Sequence, residues 1–245
     1  MTISQKLTTI AENQVKIFDT GKDKGYKEGY SDCENHFWDN IQNFGEKTDY
    51  TRFFCDWKTF EYIRPKYKVV PQKDAPYLFS GCTALKVLES AYFDFGQIPE
   101  NYKEYNIGLY ALCNKCSSLE YVEDVNFQPV MSYAYFFAGC ENLKKIAVIR
   151  ISEESKFGGT FGGDCFWRCY ALEEVTFEGT IGNSLSVQFC PKLSHKTLIN
   201  IIECLKDYSS DTSGKVYTLN LGKVNTAKLT EAEQQIAIDK GWLLA

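Results

Sequence analysis

Apolar residues recur along the middle of the chain in units that each begin with a cysteine. A Cys-x-x-Leu unit occurs five times, and in the first four copies another aliphatic residue follows three positions after the leucine. Consecutive units are spaced 34, 24, 29 and 21 residues apart, and we attribute the variation to inserted loops. Leucine-rich repeats measure about 20–29 residues. The five units begin at Cys82, Cys116, Cys140, Cys169 and Cys190.

This pattern predicts an α/β repeat solenoid built from leucine-rich repeats. Each unit is expected to form a short strand around Leu-x-x-Val/Ile, and neighbouring strands are expected to pair in parallel. Because one unit cannot bury its own apolar face, the units must stack to bury it. Cysteine is small, apolar and a weak S–H donor, which suits a buried bend beside turn carbonyls. We therefore expect the five cysteines to stack in the interior as a cysteine ladder.

Atypical segments are expected at both ends, because a solenoid must be capped there. Apolar residues between positions 3 and 17 follow a heptad spacing, which favours a helix that pairs with copies of itself. A flexible linker is the alternative for the glycine-containing stretch that follows. We divide the chain into a helical, coiled-coil-like arm over 1–45, an aromatic N-terminal cap over 46–78, the solenoid over 79–195 and an α/β C-terminal cap over 196–245.

Within the C-terminal cap, the residue pattern predicts a helix, a strand and a second helix. Ser194 is a good N-cap for apolar residues at helical spacing, and residues 216–221 alternate like a strand. Thr230 and Glu233 form a capping box that opens the second helix. We interpret Trp242 as a packing anchor, with a ligand platform as the alternative.

Composition excludes several classes of function. The chain has 245 residues, of which 44% are hydrophobic and 15% aromatic, so most of it should fold. The net charge is −5 with no Lys/Arg cluster, which excludes a nucleic-acid footprint and anionic-lipid binding. No apolar run approaches about 18 residues, so we expect no membrane insertion. The N-terminus lacks the apolar core of a signal peptide, so we expect synthesis in a cytoplasm.

The ten cysteines admit disulfide, zinc or reduced-thiol interpretations. Disulfide frameworks belong to small secreted domains, which this chain does not resemble. Cys113-x-x-Cys116 and Cys165-x-x-x-Cys169 look like half zinc sites. Each pair contains one ladder cysteine, however, whose side chain is expected to point inward. We therefore expect reduced core thiols, with no metal and no cofactor.

Candidate catalytic chemistry is sparse. The two histidines, His36 and His195, lie in polar contexts without an identifiable Ser or Cys partner. The glycine-rich stretch 158–163 lacks the strand-to-helix setting and the lysine of a phosphate-binding loop. We therefore assign no catalytic residues and predict a non-enzymatic binding or structural protein.

Binding is expected on the variable positions between the apolar ones. If each Leu-x-x-Val/Ile begins a strand, the residues that point outward include Tyr121, Glu123, Lys145, Glu174 and Thr176. We interpret the aromatic segment before the first unit, which contains Trp57 and Tyr62, as a cap packed on that unit. An exposed aromatic surface for carbohydrate or protein is the alternative, and it makes Trp57 and Tyr62 candidate binding residues.

Two resemblances extend this interpretation. The phrases Phe79-Ser-Gly-Cys-Thr-Ala-Leu and Phe137-Ala-Gly-Cys-Glu-Asn-Leu resemble the BspA-like class of bacterial leucine-rich repeats, a class associated with surface adhesion. The stretches Gly25-Tyr-Lys-Glu-Gly-Tyr and Leu193-Ser-His-Lys-Thr-Leu are similar to minor structural and tail proteins of phages and prophages of gut bacteria.

These resemblances imply a virion component of the phage tail that recognises a bacterial surface protein or glycan. The heptad spacing in the N-terminal arm also allows a homo-oligomer formed through residues 1–45. Two alternatives stay open, namely a bacterial surface adhesin and an intracellular protein-interaction module.

Overall fold

A computed structural model of the chain describes seven stretches of it. They are residues 50, 52–65, 68–71, 75–96, 109–130, 132–158 and 164–245. The predicted arm over residues 1–45, with the homo-oligomer contact assigned to it, lies outside the described residues.

The described chain is an α/β structure with two parallel sheets and few helices. The first sheet has four strands that pair in sequence order. They are β1 (Val87–Leu88), β2 (Tyr121–Val122), β3 (Lys145–Ile151) and β4 (Glu174–Gly179). The predicted parallel pairing is therefore confirmed for these strands.

The aliphatic residues of the Cys-x-x-Leu units define the buried side of this sheet. Leu88 pairs with Val122, Val122 with Ile146, and Ile146 with Val175, so the four are in register. None of the four is more than 2% exposed. The unit leucines are buried as well, at positions Leu85, Leu119, Leu143, Leu172 and Leu193. Strands of two residues suffice here because burial of this face, not strand length, supplies most of the stabilisation.

A second run of parallel backbone hydrogen bonds joins the bends that precede the cysteines. The amide of Phe79 donates to the Leu112 carbonyl at 2.8 Å, and the amide of Phe137 donates to the Cys165 carbonyl at 2.9 Å. Two residues further along the chain, the amide of Gly139 donates to the Trp167 carbonyl at 2.7 Å. Consecutive bends are therefore joined by backbone hydrogen bonds, as consecutive strands are.

The five ladder cysteines are buried, and each thiol donates a hydrogen bond to a main-chain carbonyl of an earlier segment. The donor-to-acceptor distances lie between 2.9 and 3.7 Å. The pairs are Cys82 to Phe54, Cys116 to Phe79, Cys140 to Cys113, Cys169 to Phe137 and Cys190 to Phe166. Every described cysteine is a free thiol.

The residue before each of the first four ladder cysteines has a left-handed backbone. Gly81 and Gly139 have φ values of 77° and 80°, which glycine adopts at little cost. Lys115 and Arg168 have φ values of 63° and 62° at the corresponding positions. A side chain there costs roughly 1–2 kcal/mol, so these two residues occupy strained positions on the surface.

The aromatic segment before the first cysteine packs into the core. The Phe54 ring stacks on Phe79 at 5.4 Å between centroids, and the Phe54 amide donates to the Leu78 carbonyl at 2.9 Å. Trp57 is only 7% exposed, and its ring lies 5.2 Å from that of Phe60. The expectation that Trp57 belongs to an exposed aromatic surface was therefore wrong, because its indole is used to cover the end of the core.

A second parallel sheet covers the C-terminal end of the core. It contains β5 (Leu185–Ser186), β6 (Tyr217–Asn220) and β7 (Trp242–Leu244) in sequence order. The helices are α1 (His195–Cys204), α2 (Gly222–Thr226) and α3 (Glu231–Asp239).

The sequence predictions for this region are confirmed. Ser194 caps α1 by accepting from the Thr197 amide, and Thr230 and Glu233 form a complete capping box on α3. Trp242 is 3% exposed and donates from its indole nitrogen to the Lys206 carbonyl at 2.8 Å, as a packing anchor should.

Asn225 of α2 continues the hydrogen bonding of the ladder beyond the last cysteine. Its buried side-chain amide donates to the carbonyls of Val187, Cys190 and Leu221 at 3.1–3.3 Å. A neutral amide with two N–H groups can bond several carbonyls where a thiol can bond one. This side chain therefore joins the second sheet to the last Cys-x-x-Leu unit.

Replacing a ladder cysteine by a charged residue should destabilise the protein severely. Cys140 is fully buried, so Cys140→Asp places a carboxylate where no cation can neutralise it, and we expect a loss of roughly 3–5 kcal/mol in unfolding free energy. Urea titration measures this loss. The control Thr83→Asp, at an exposed site, should change stability by about 0.5 kcal/mol or less. Equal stabilities of the two variants would show that Cys140 does not lie in the core.

Truncating Asn225 should also be costly. Asn225→Ala removes three buried hydrogen bonds from the side-chain amide to main-chain carbonyls, so we expect the free energy of unfolding to fall by about 2–4 kcal/mol. The control Lys223→Ala alters an exposed residue of the same helix and should be nearly neutral. Thermal or urea unfolding compares them, and a neutral Asn225→Ala would contradict the role assigned to the amide.

Candidate functional site

The predicted outward strand face carries charges that are already paired within the protein. The Lys145 ammonium lies 2.7 Å from the Glu174 carboxylate on the neighbouring strand. Glu123 accepts hydrogen bonds from both the backbone amide and the hydroxyl of Ser90, at 2.8 and 2.7 Å. These bonds lower the pKa of Glu123 below its ordinary value. Three of the predicted binding residues thus have partners before any ligand arrives.

Similar pairing runs along the rest of this sheet. Lys144 lies 2.7 Å from Glu120, and each side chain shifts the pKa of the other toward the charged form. Arg150 contacts Asp124 with two nitrogens at 2.8 and 2.9 Å and also lies 3.2 Å from Glu178. The strand face is therefore a set of exposed ion pairs, each worth about 0–1 kcal/mol.

The remaining predicted binding residues differ in exposure and do not form one surface. Thr176 is exposed, and Tyr121 is half-buried. Tyr62 is also half-buried, with the Arg64 guanidinium 4.4 Å from its ring centroid. These residues do not join into an exposed aromatic surface with Trp57, whose side chain lies in the core.

Among the described residues, the exposed aromatic side chains lie instead around the fourth ladder cysteine. Trp167 is 40% exposed and Tyr170 is 43% exposed, although both flank a fully buried cysteine. Between them, Arg168 projects from its left-handed position. Together with Glu141 these residues form what we call the aromatic–arginine cluster.

Arg168 is the centre of this cluster. Its guanidinium lies 5.3 Å from the centroid of the Trp167 ring and 5.9 Å from that of Tyr170, within the range of cation–π attraction. A guanidinium nitrogen also lies 2.7 Å from the Glu141 carboxylate. Both rings are therefore ordered by contacts to one side chain that is itself held by an ion pair.

Rigid core packing holds the cluster from below. The Trp167 carbonyl accepts from the Gly139 amide at 2.7 Å, and the Cys169 thiol donates to Phe137 at 3.2 Å. Phe166, next to Trp167 in the chain, is 1% exposed and stacks on Phe137 at 6.3 Å. The exposed side chains therefore project from a backbone that the buried ones fix.

Sequence reasoning missed this cluster, although a signal was present. The two positions before the first and third ladder cysteines hold small residues, as in Ser80-Gly-Cys and Ala138-Gly-Cys. The fourth unit reads Trp167-Arg-Cys at the same positions and continues with Tyr170. The signal of the cluster in the sequence is therefore the presence of large residues at positions where other units have small ones.

Three of the buried thiols are poorly suited to nucleophilic chemistry. Burial raises the pKa of the Cys82, Cys140 and Cys165 thiols well above the ordinary range, which disfavours the thiolate. In the part of the chain that the structure describes, no three His, Cys, Asp or Glu side chains are placed to hold a metal ion. His195 lies 2.9 Å from Glu233 at the surface.

Comparison with known proteins gives no relative for this arrangement. No protein-family model matches the chain, and neither does any curated protein or solved structure. Among the described residues, no helix is long and apolar enough to cross a membrane.

The ion pairs of the strand face should appear in the pH dependence of stability. Arg150 holds the pKa of Asp124 below its ordinary value, so the pair stabilises the fold above that value and is lost as pH falls through the lowered one. Asp124→Asn should therefore cost about 0.5–1 kcal/mol at pH 7 and almost nothing near pH 2.

Urea titrations of the protein and the variant at both pH values measure this difference. Glu154→Gln, at another exposed carboxylate, serves as the control. A deficit of Asp124→Asn that is the same at both pH values would show that the charge of Asp124 is not involved.

Proposed function

We propose that residues 79–195 form a leucine-rich-repeat solenoid in which each Cys-x-x-Leu unit is one coil. Three features support this proposal. The strands pair in parallel in sequence order, the preceding bends pair in a second parallel run, and each ladder thiol reaches back to an earlier segment. Residues 50–63 and the second sheet are then the caps of the solenoid, since their side chains close the two ends of the core.

We further propose that the protein is a non-enzymatic binding protein whose contact surface is the aromatic–arginine cluster. One observation carries this proposal, namely that Trp167 and Tyr170 are exposed around a guanidinium on a rigid backbone. Trp, Tyr and Arg are the residue types most enriched among binding hot spots. A backbone fixed before binding loses little conformational entropy on binding, which increases affinity.

The proposed biological setting is recognition of a bacterial surface ligand by a phage tail-associated protein. The resemblances of the repeat phrases and of the flanking stretches support this setting. A bacterial adhesin and an intracellular interaction module are the alternatives. Of the three, the tail protein and the adhesin both require the cluster to contact the outside of a cell, and this requirement can be tested directly.

Trp167→Ala, which removes the indole, should weaken binding of the protein to cells. Fluorescently labelled protein is incubated with a panel of gut bacterial isolates, and bound protein is measured by flow cytometry. We expect saturable binding to at least one isolate. We also expect Trp167→Ala to weaken it at least tenfold, because a central aromatic contact is worth about 2 kcal/mol or more.

Leu243→Ala is the matched control, because Leu243 is exposed by 55% on the second sheet. Its binding should equal that of the unaltered protein, and both variants should keep the urea midpoint. If Trp167→Ala binds cells as well as the unaltered protein does, the contact surface lies elsewhere on the protein. Failure to bind any isolate would favour the intracellular alternative.

A further inference from the structure

We infer that the aromatic–arginine cluster binds an uncharged glycan of the bacterial surface. This inference rests on the proposed function and adds the chemical class of the ligand. Three properties of the cluster support it, namely the area of its exposed rings, its charge balance and the mixture of its polar groups.

The exposed area of Trp167 and Tyr170 suits one or two sugar residues. A buried aromatic side chain covers roughly 150–250 Å². At 40% and 43% exposure, the two residues together offer roughly 120–210 Å². A standard protein interface needs about 800 Å² from each partner. These two residues therefore supply the contact area of a small ligand and only a minor part of a protein interface.

The charge balance of the cluster disfavours a strongly charged ligand. The Arg168 guanidinium and the Glu141 carboxylate lie 2.7 Å apart, so each charge is neutralised by the other. An anionic ligand would have to compete with Glu141 for Arg168, and a cationic ligand would have to compete with Arg168 for Glu141. Either competition reduces the net gain of binding, so an uncharged ligand is favoured.

The polar groups of the cluster match a polyhydroxylated ring. The indole N–H and the guanidinium are donors, the Glu141 carboxylate is an acceptor, and the Tyr170 hydroxyl is both. A pyranose ring has an apolar C–H face and a rim of hydroxyls that donate and accept. The C–H face can lie on an aromatic ring while the rim bonds the surrounding polar groups.

Glu141 has a positioning role in this scheme, because it holds the guanidinium between the two rings. Glu141→Gln keeps the size and one oxygen acceptor but leaves the positive charge of Arg168 unpaired. We therefore expect this variant to weaken binding of a neutral glycan and to strengthen binding of an acidic one. A purely structural role for Glu141 would weaken both together.

Competition with fractionated surface material tests the inference. Polysaccharide is extracted from an isolate that binds the protein and separated by anion exchange into an unretained neutral fraction and a retained acidic fraction. Each fraction, and a protein extract of the same cells, competes for binding of the labelled protein to intact cells. We expect the neutral fraction to inhibit binding at least tenfold more effectively, per unit mass, than the other two.

Treatment of the cells gives an independent readout. Periodate, which cleaves vicinal diols of sugars, should abolish binding, and protease treatment should leave it unchanged. Sensitivity to protease instead, or inhibition mainly by the acidic or protein material, would overturn the glycan assignment. In that case Trp167-dependent cell binding would still support the proposed function. Absence of binding to any isolate would overturn both.

Discussion

The thiol-to-carbonyl hydrogen bond is the interaction on which the rest of this structure depends. Each ladder cysteine lies at a buried bend, where main-chain carbonyls of an earlier segment have no access to water. Each of these carbonyls also accepts the backbone amide three residues further along its own bend, so the thiol supplies a second hydrogen bond that links one bend to the next. Such a bond adds only about 1 kcal/mol of net stability, and cysteine is small enough to make it inside the bend. Where the cysteines end, the Asn225 amide performs the same task for Val187 and Cys190.

This constraint separates the residues that maintain the fold from those that are available for binding. Interior positions hold small, aliphatic or aromatic side chains, among them the buried rings of Phe79, Phe137 and Phe166. Exposed positions on the sheet hold mutually paired charges, as in Lys145 and Glu174. The aromatic–arginine cluster differs from both groups, because its large apolar rings are exposed beside a strained backbone residue. Arg168, like Lys115, has a left-handed backbone at a position where Gly81 and Gly139 adopt this conformation at little cost.

Much of the fold could be predicted from the sequence, because the positions that decide it repeat. The Cys-x-x-Leu units give the parallel register, and Ser194, Thr230 and Glu233 mark helix starts through local capping chemistry. The candidate site was harder, because exposure depends on what the neighbouring segments bring. Trp57 and Trp167 both precede polar or charged residues in the chain, yet one closes the end of the core and the other faces solvent. Trp57 packs on Phe54, which stacks on Phe79 of the next segment, and no local pattern specifies that second contact.

The central claim is that a buried row of reduced thiols holds consecutive segments together, and thiol accessibility tests it most directly. The protein is exposed to short pulses of iodoacetamide at increasing urea concentration without reductant, and modified cysteines are identified by peptide mass spectrometry. We predict that the thiols of the five ladder cysteines stay unmodified in the native protein and become reactive together at the urea concentration where the core unfolds. Modification of ladder thiols under native conditions, or resistance that disappears only after reduction of disulfides, would contradict the account.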